Sequence, residues 1–323
     1  MNSPRYRRVM LAAPLLILST LASACSGAGN GGARPAQATS SSTSSATASA
    51  TAGPSVAAPG ARARADRALA ALERKFHAQL GVYAIDTGTG RAMTYNADKR
   101  FAFCSTYKAL ATGLLLQRDT SAQLSQVLHY SKSDLVEWSP ITSQHVSTGM
   151  TLRAVMAAAL DYSDNTAANL LLTQLGGPGK FTEGLRHLGD ITTDSNRTEP
   201  TLNEATPGDT RDTTTARAIA TDLRDFVLGN ALPESRRKLL TGWMLANTTG
   251  GPYIRAGVPR NWKVADKTGN GGWGTRNDIA VAWPPGKAPV VIAVLSRRGS
   301  ANAMSQDALI ADATKVTLAA LRS

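Results

Sequence analysis

Apolar positions fall into three regimes along this chain. Val9 to Leu21 is an apolar run with one Pro14, preceded by Arg5, Arg7 and Arg8 and followed by the small residues Ala22-Ser23-Ala24. That is the make-up of a cleaved signal peptide spanning residues 1–24, and the run is too short for a comfortable permanent span. From Ser26 to about Gly60 the chain is almost wholly Ser, Thr, Ala, Gly and Pro, without apolar periodicity. Nothing there offsets the entropy of ordering, so residues 25–61 read as a flexible linker. Its length of about 35 residues reaches roughly 30 Å as a coil and on the order of 110 Å when pulled straight.

From Arg62 to the C-terminus the periodicity of a folded domain sets in. Leu69, Leu72 and Phe76 recur every three or four positions among charges, the stripe of an amphipathic helix. Leu80 to Asp86 and Ala92 to Tyr95 read as strands joined by the turn Thr87-Gly88-Thr89-Gly90. An Ala- and Leu-rich middle follows, with helices expected over Thr151 to Asp161, opened by a Thr cap, and over Asn165 to Leu175. Strand-like runs return at Trp262 to Thr268, Ile279 to Trp283 and Val290 to Leu295, before a last helix carrying Leu309, Ile310, Ala313, Val316 and Leu321. Strands at both ends with helices between them predict an α+β class, or a sheet completed by both termini.

Composition narrows the function classes. With 323 residues and 42% hydrophobic content the chain can bury a large core. The formal charge of +12 is spread along it, with no zinc-ligand spacing, RNP motif or tight basic block. It therefore reads as a solvated surface, and no nucleic-acid partner is expected. Cys25 follows Leu21-Ala22-Ser23-Ala24 and is read as a lipidated cysteine tethering an outward-facing domain to the membrane, with ordinary secretion as the alternative. Arg7-Arg8 leaves export open between the twin-arginine and general routes. With Cys25 so used, Cys104 has no intrachain partner.

Three short motifs carry the chemistry. In Ser105-Thr106-Tyr107-Lys108, entering an apolar helical run, positions i and i+3 share a helix face, so Lys108 can reach the Ser105 hydroxyl. The helix N-terminus adds N–H donors for an oxyanion. Ser235-Arg236-Arg237-Lys238 has the same spacing in a charged stretch and reads as a solvated helix start. Ser163-Asp164-Asn165 offers a proton-relaying hydroxyl and an amide, or simply a capped helix junction. Lys267-Thr268-Gly269 ends a predicted strand, placing a cation and a hydroxyl at a sheet edge, where glycine permits close backbone approach.

Taken together and in this order, these motifs resemble the signature of the serine β-lactamase and penicillin-binding protein superfamily, over about Arg64 to the C-terminus. The stretch from Arg197-Thr198-Glu199-Pro200 through Asn203 to Asp212 is similar to the omega loop of the class A β-lactamases. The resemblance implies an antiparallel sheet built from both termini and flanked by helices, with an all-helical subdomain at about 103–245. It further implies a Ser105 nucleophile, Lys108, a Ser163 relay, and Glu199 as base for the hydrolytic water, with Asn203 helping to position that water. Asn165, Lys267, Thr268 and Gly269 would bind substrate, with Arg276 gripping its carboxylate and Trp138 walling the cleft. Ser105 and Asn270 would supply the oxyanion N–H groups. An Arg197–Asp212 pair would brace the loop neck.

Asn270 and Gly272-Trp273 depart from the residues usual in that family, which bears on substrate range. Gly271 stands where some members carry a second cysteine, so Cys104 is expected to be free and buried. His77, His129, His145 and His187 share no ligand spacing; neither a metal nor another cofactor is implied. The expected activity is hydrolysis of penicillins and cephalosporins by a monomer, conferring resistance. A penicillin-binding D,D-carboxypeptidase or transpeptidase, and a non-catalytic sensing or cell-wall-binding lipoprotein, are the competing readings.

Overall fold

The computed structural model describes residues 55–56 and 58–323. The signal peptide, Cys25 and most of the linker lie outside the described residues. The elements are, in order, β1 (Ser55–Val56), α1 (Pro59–Phe76), β2 (Ala78–Asp86), β3 (Arg91–Tyr95), β4 (Arg100–Ala102), α2 (Tyr107–Arg118), α3 (Ser121–Leu124), β5 (Val127–Leu128) and β6 (Met150–Thr151). Then come α4 (Leu152–Asp161), α5 (Asn165–Leu175), α6 (Pro178–His187), β7 (Thr213–Thr215), α7 (Ala216–Val227), α8 (Glu234–Ala246) and α9 (Ile254–Gly257). The chain closes with β8 (Lys263–Gly271), β9 (Thr275–Trp283), β10 (Val290–Arg298) and α10 (Asp307–Leu321). No described helix is long and apolar enough to cross a membrane.

The main sheet has the order β1-β3-β2-β10-β9-β8, antiparallel throughout except that β1 runs parallel to β3. It is built from both ends of the chain, as the α+β reading requires. At its centre β10 shows why Val290 to Leu295 lacks alternation. Val290, Ile292 and Val294 enter one apolar core with α1 and α10, while Val291, Ala293 and Leu295 enter a second with the helices between. A strand covered on both faces has no polar side to show.

Local chemistry sets the helix ends. Pro59 opens α1, where a missing N–H costs nothing, and His77 closes it in the left-handed region at φ 47°. Thr151, Asp164 and Thr215 cap α4, α5 and α7 by accepting from the N–H of Ala154, Ala167 and Ala218.

Two expectations need correction. The helix expected from Arg62 begins at Pro59, after a short strand that still contacts the sheet. Lys267-Thr268-Gly269 does not end its strand: β8 runs on to Gly271, because β9 starts at Thr275 and pairs with it along its whole length. Arg276 is accordingly a strand residue facing Asn270, and the glycines permit the continuation. A side chain at Gly269 would stand 2.8 Å from the Phe103 carbonyl, and one at Gly271 2.6 Å from Cys104 Sγ.

Candidate active site

Helix α2 is buried from Tyr107 to Leu116, so its N-terminus delivers the preceding turn Cys104–Thr106 into the middle of the molecule. Asn277 on β9 fixes that turn by donating from Nδ2 to the carbonyls of Ala102 (2.8 Å) and Phe103 (3.2 Å). Cys104 is free and fully buried, as expected, and burial pushes its thiol up, out of reach of redox or nucleophilic use.

Ser105 lies at the floor of a cleft of about 590 Å³, walled by Trp138, Ser163, Asn165, Asn203, Thr268 and Asn270 among others. Lys108, Glu199 and Lys267 sit directly behind this lining. Ser105 Oγ donates to Glu199 Oε1 at 3.4 Å, and Lys108 Nζ lies 3.0 Å from that same oxygen. Lys108 also donates to Ser163 O (2.8 Å) and Asn165 Oδ1 (2.6 Å), so its contacts favour these acceptors over the Ser105 hydroxyl that helical spacing had suggested. An ammonium directs its three donors to the strongest acceptors in reach. Glu199 is the direct partner of the nucleophile.

Ser163 stands between two lysines. Lys267 Nζ donates to its Oγ at 3.0 Å, and Lys108 Nζ lies 3.4 Å from it on the other side. Burial lowers the pKa of Lys108, and burial together with Lys108 lowers that of Lys267 to about 7. Cys104, Trp138 and Ser163 all hold positive φ, between 47° and 63°, around this cleft. Backbone strain of this kind costs on the order of 1–3 kcal/mol per residue and persists where surrounding structure over-determines it.

Both readings of Ser163-Asp164-Asn165 hold at once. Asp164 caps α5 and accepts from Ile141 N, Thr142 N and Thr142 Oγ1, and that capped junction is what points Ser163 and Asn165 into the cleft. Asn165 already uses both ends of its amide, on Lys108 and on the Glu137 carbonyl (2.9 Å). It therefore organises Lys108 as much as it lines the binding surface.

Glu199 is held by its whole loop. Asn169 grips its backbone at both ends, Oδ1 accepting from Glu199 N (2.8 Å) and Nδ2 donating to Glu199 O (3.0 Å), while Asn203 Nδ2 donates to Oε2. At the loop neck Arg197 Nε pairs with the fully buried Asp212 at 2.6 Å. The other oxygen of Asp212 accepts from Asn196 N and Arg197 N.

Arg276 donates from Nε to Asp307 Oδ1 at 2.9 Å and stands across the β8–β9 ladder from Asn270, beside the cleft. Thr268 Oγ1 lies 2.5 Å from Thr249 Oγ1, a cleft residue the motifs did not announce. Trp138 is 62% exposed and anchored by its indole N–H on the Tyr162 carbonyl. Ser235 of the decoy motif is exposed at the start of α8, far from any such cluster.

Sequence reasoning missed Asn169, Thr249, Asn277 and Asp307. Asn169 alone had a local signal, since it lies four residues after Asn165 on the same helical face. Among the described residues no cluster of His, Cys, Asp or Glu has the arrangement of a metal site.

A serine at a buried helix N-terminus, with a glutamate 3.4 Å away, a lysine on that same carboxylate oxygen and a second lysine across a relay hydroxyl, defines a serine hydrolase of the acyl-enzyme type. Comparison with known proteins gives the family. Residues 64–321 match the model of the Beta-lactamase enzyme family. Beta-lactamase 1 of Bacillus cereus is 55% identical over 76% of this chain and 80% of its own length. A beta-lactamase of Amycolatopsis lactamdurans is 55% identical over 77% and 83%. Among solved structures, the class A beta-lactamase from Clostridium kluyveri DSM 555 superposes with a TM-score of 0.80 at 47% identity, covering 81% of this chain and all of that one. A halotolerant bacterial beta-lactamase gives a TM-score of 0.78 at 50% identity, over 79% and 98%. The chain belongs to the beta-lactamase family and is a class A serine β-lactamase.

Proposed function

We propose that this β-lactamase opens the β-lactam amide of penicillins and cephalosporins on Ser105 and releases the acyl group with water activated by Glu199. The observation that carries the reading is the buried contact of Ser105 Oγ, Glu199 Oε1 and Lys108 Nζ, all meeting at one carboxylate oxygen. In acylation Ser105 Oγ attacks the lactam carbonyl and its proton passes to the Glu199–Lys108 pair, in which burial lowers the pKa of the lysine and leaves it able to accept when the carboxylate is removed. The oxyanion is met by the N–H groups of Ser105 and Asn270, whose backbones are brought together where Gly269 packs against the 104–106 turn. Ser163, bridged to both lysines, returns a proton to the departing ring nitrogen. Glu199, oriented by Asn203 and Asn169, then takes a proton from the water that attacks the ester.

Lys267, Thr268 and Arg276 receive the substrate carboxylate, and Trp138 covers one side of the ring. The enzyme works as a monomer, which light scattering on the eluted protein checks. It is exported and held outside the membrane by a lipid on Cys25. A tagged fatty acid should label the parent and not Cys25→Ala; equal labelling of both, or none, rejects the anchor.

Replacing Glu199 by Gln tests the core of the proposal. The variant mixed with benzylpenicillin should show, by intact mass, a persistent adduct of the whole drug, mapped to Ser105. Undiminished turnover without an adduct would assign the water to another base, and turnover of neither a chromogenic cephalosporin nor benzylpenicillin by the parent would refute the activity.

A further inference from the structure

Behind the loop that carries Glu199 lies another cavity, of about 170 Å³, and four arginines line it. Arg197 and Arg211 come from the two ends of the loop, Arg100 from β4 and Arg297 from β10. It shares no lining residue with the catalytic cleft. The topology explains the convergence. Strand β4 pairs with β7 at the foot of the loop, and the alternation that sends Leu295 of β10 in among the helices sends Arg297 to the same face. Arg298 turns the other way and donates to the Phe76 carbonyl.

Three of these guanidiniums have carboxylate partners. Arg197 is engaged by Asp212 at 2.6 Å and by Glu204, Arg211 by Asp209 at 2.8 Å, and Arg100 more loosely by Asp194 at 3.4 Å. Arg297 is half-buried, and among the described residues no carboxylate pairs with it and nothing accepts from its guanidinium. Of the four carboxylates only Asp209 lines the cavity, so the wall itself presents four cations against one anion. A guanidinium stays charged at any working pH, and removing it partly from water without a counter-charge is unfavourable. The volume falls below the roughly 300–1,000 Å³ of sites for drug-sized molecules and suits a small ion. Forked donors match the oxygens of a tetrahedral oxyanion two at a time.

We propose that this cavity is an anion site, separate from the cleft, which takes inorganic phosphate or sulfate between Arg297 and Arg100 on the sheet side and Arg211 on the loop side. The bound anion neutralises Arg297 and ties β4 and β10 to loop residues 205–211. That stretch follows Asn203 and precedes the neck at Asp212, so the anion fastens the back of the loop whose front holds Glu199. It touches no reacting atom, and the inference does not depend on which bond the enzyme breaks.

The test follows thermal unfolding of the full chain in sodium phosphate against sodium chloride of equal ionic strength, for the parent, Arg297→Gln, Arg297→Lys and Arg276→Ala. At about ten times its Kd, phosphate should raise the Tm of the parent by roughly 3–5 °C over chloride. Arg276→Ala, which weakens the cleft's own attraction for anions, should keep that shift. Arg297→Gln should lose it, and Arg297→Lys, with the charge but not the fork, should keep a part. In chloride alone Arg297→Gln should melt no lower than the parent, since it removes a cation that has no partner. Hydrogen exchange of residues 205–211 should slow several-fold in phosphate for the parent and not for Arg297→Gln.

Equal phosphate shifts in the parent and Arg297→Gln would overturn the proposal. So would a shift lost in Arg276→Ala and kept in Arg297→Gln, which would place the anion in the catalytic cleft. A Tm for Arg297→Gln well below the parent in chloride would make Arg297 a packing residue, and unchanged exchange over 205–211 would separate the anion from the loop.

Discussion

The two faces of strand β8 divide the active site into halves of different character. On the face toward the helices, Lys267 joins Ser163, Lys108 and Glu199 in a cluster whose charged groups are all buried and mutually bonded. On the other face, Thr268 and Asn270 meet Thr249, Tyr253 and, across the ladder, Arg276, in a set that runs from the buried Thr268 and Tyr253 to the exposed Asn270. In the proposed mechanism the first half moves protons, which needs a dry setting where small displacements of charge are worth several kcal/mol, and its Lys267 also faces the substrate carboxylate. The second half recognises, which needs donors left free to meet a ligand. A strand's two-residue repeat lets neighbours in one tripeptide serve both halves.

The largest expected break in this contrast is Glu199→Gln. It should cost about 10² to 10⁴ in deacylation, the usual span of general-base catalysis, while leaving acylation competent enough to trap the adduct. A variant in which rapid mixing showed acylation suffering more than deacylation would make Glu199 chiefly the base of the first step.

Next comes Arg197→Ala, which strands the fully buried Asp212 with only backbone partners. Breaking a buried pair costs about 3–5 kcal/mol, and the partial exposure of Arg197 places this change near the lower end. Thermal unfolding should fall by several degrees with hydrolysis declining alongside; an unmoved Tm would reduce the pair to a surface contact.

Arg276→Ala should be felt on the recognition face alone. Loss of a charged contact worth roughly 1.5–3 kcal/mol predicts a KM increase for benzylpenicillin of about ten- to a hundredfold, with kcat nearly kept. Steady-state kinetics that found the loss in kcat would erase the distinction between the two halves.

The mildest test is titration. Lys267, lowered to about 7, is cationic below that pH and sheds its proton as pH rises. For a carboxylate substrate kcat/KM should therefore fall along an alkaline limb beginning near pH 7, and for the methyl ester it should not. The same shift has a stability sign. Because the unfolded lysine titrates near 10.5 and the folded one near 7, the unfolded chain binds more protons between those values, and this group's contribution to stability rises with pH across that window. Parallel pH profiles for acid and ester would show that the limb belongs to another group.

What the sequence by itself determined was whatever is written in neighbours. The three- and four-residue spacing of Leu69, Leu72 and Phe76, the caps at Thr151 and Asp164, and the unbroken apolar run of β10 each follow from local geometry, and each element formed where its pattern stood. Ser105, Lys108, Ser163, Lys267 and Glu199 were likewise readable as candidates, because each motif is short and its order along the chain distinctive, and the structure gathers them at one cleft. The partners of those residues were not. Asn169 clamps Glu199 from 30 positions away, Asn277 fixes the turn at Phe103 from 174, Asp307 holds Arg276 from 31, and Tyr253 turns Asn270 from 17. Periodicity says which face of a helix or strand a residue occupies, but not what a distant segment will set against that face. Only the closing of the sheet by both termini, with α2 buried against it, brought these donors within 3.2 Å of their acceptors and decided which of them face inward to position and which remain free to bind.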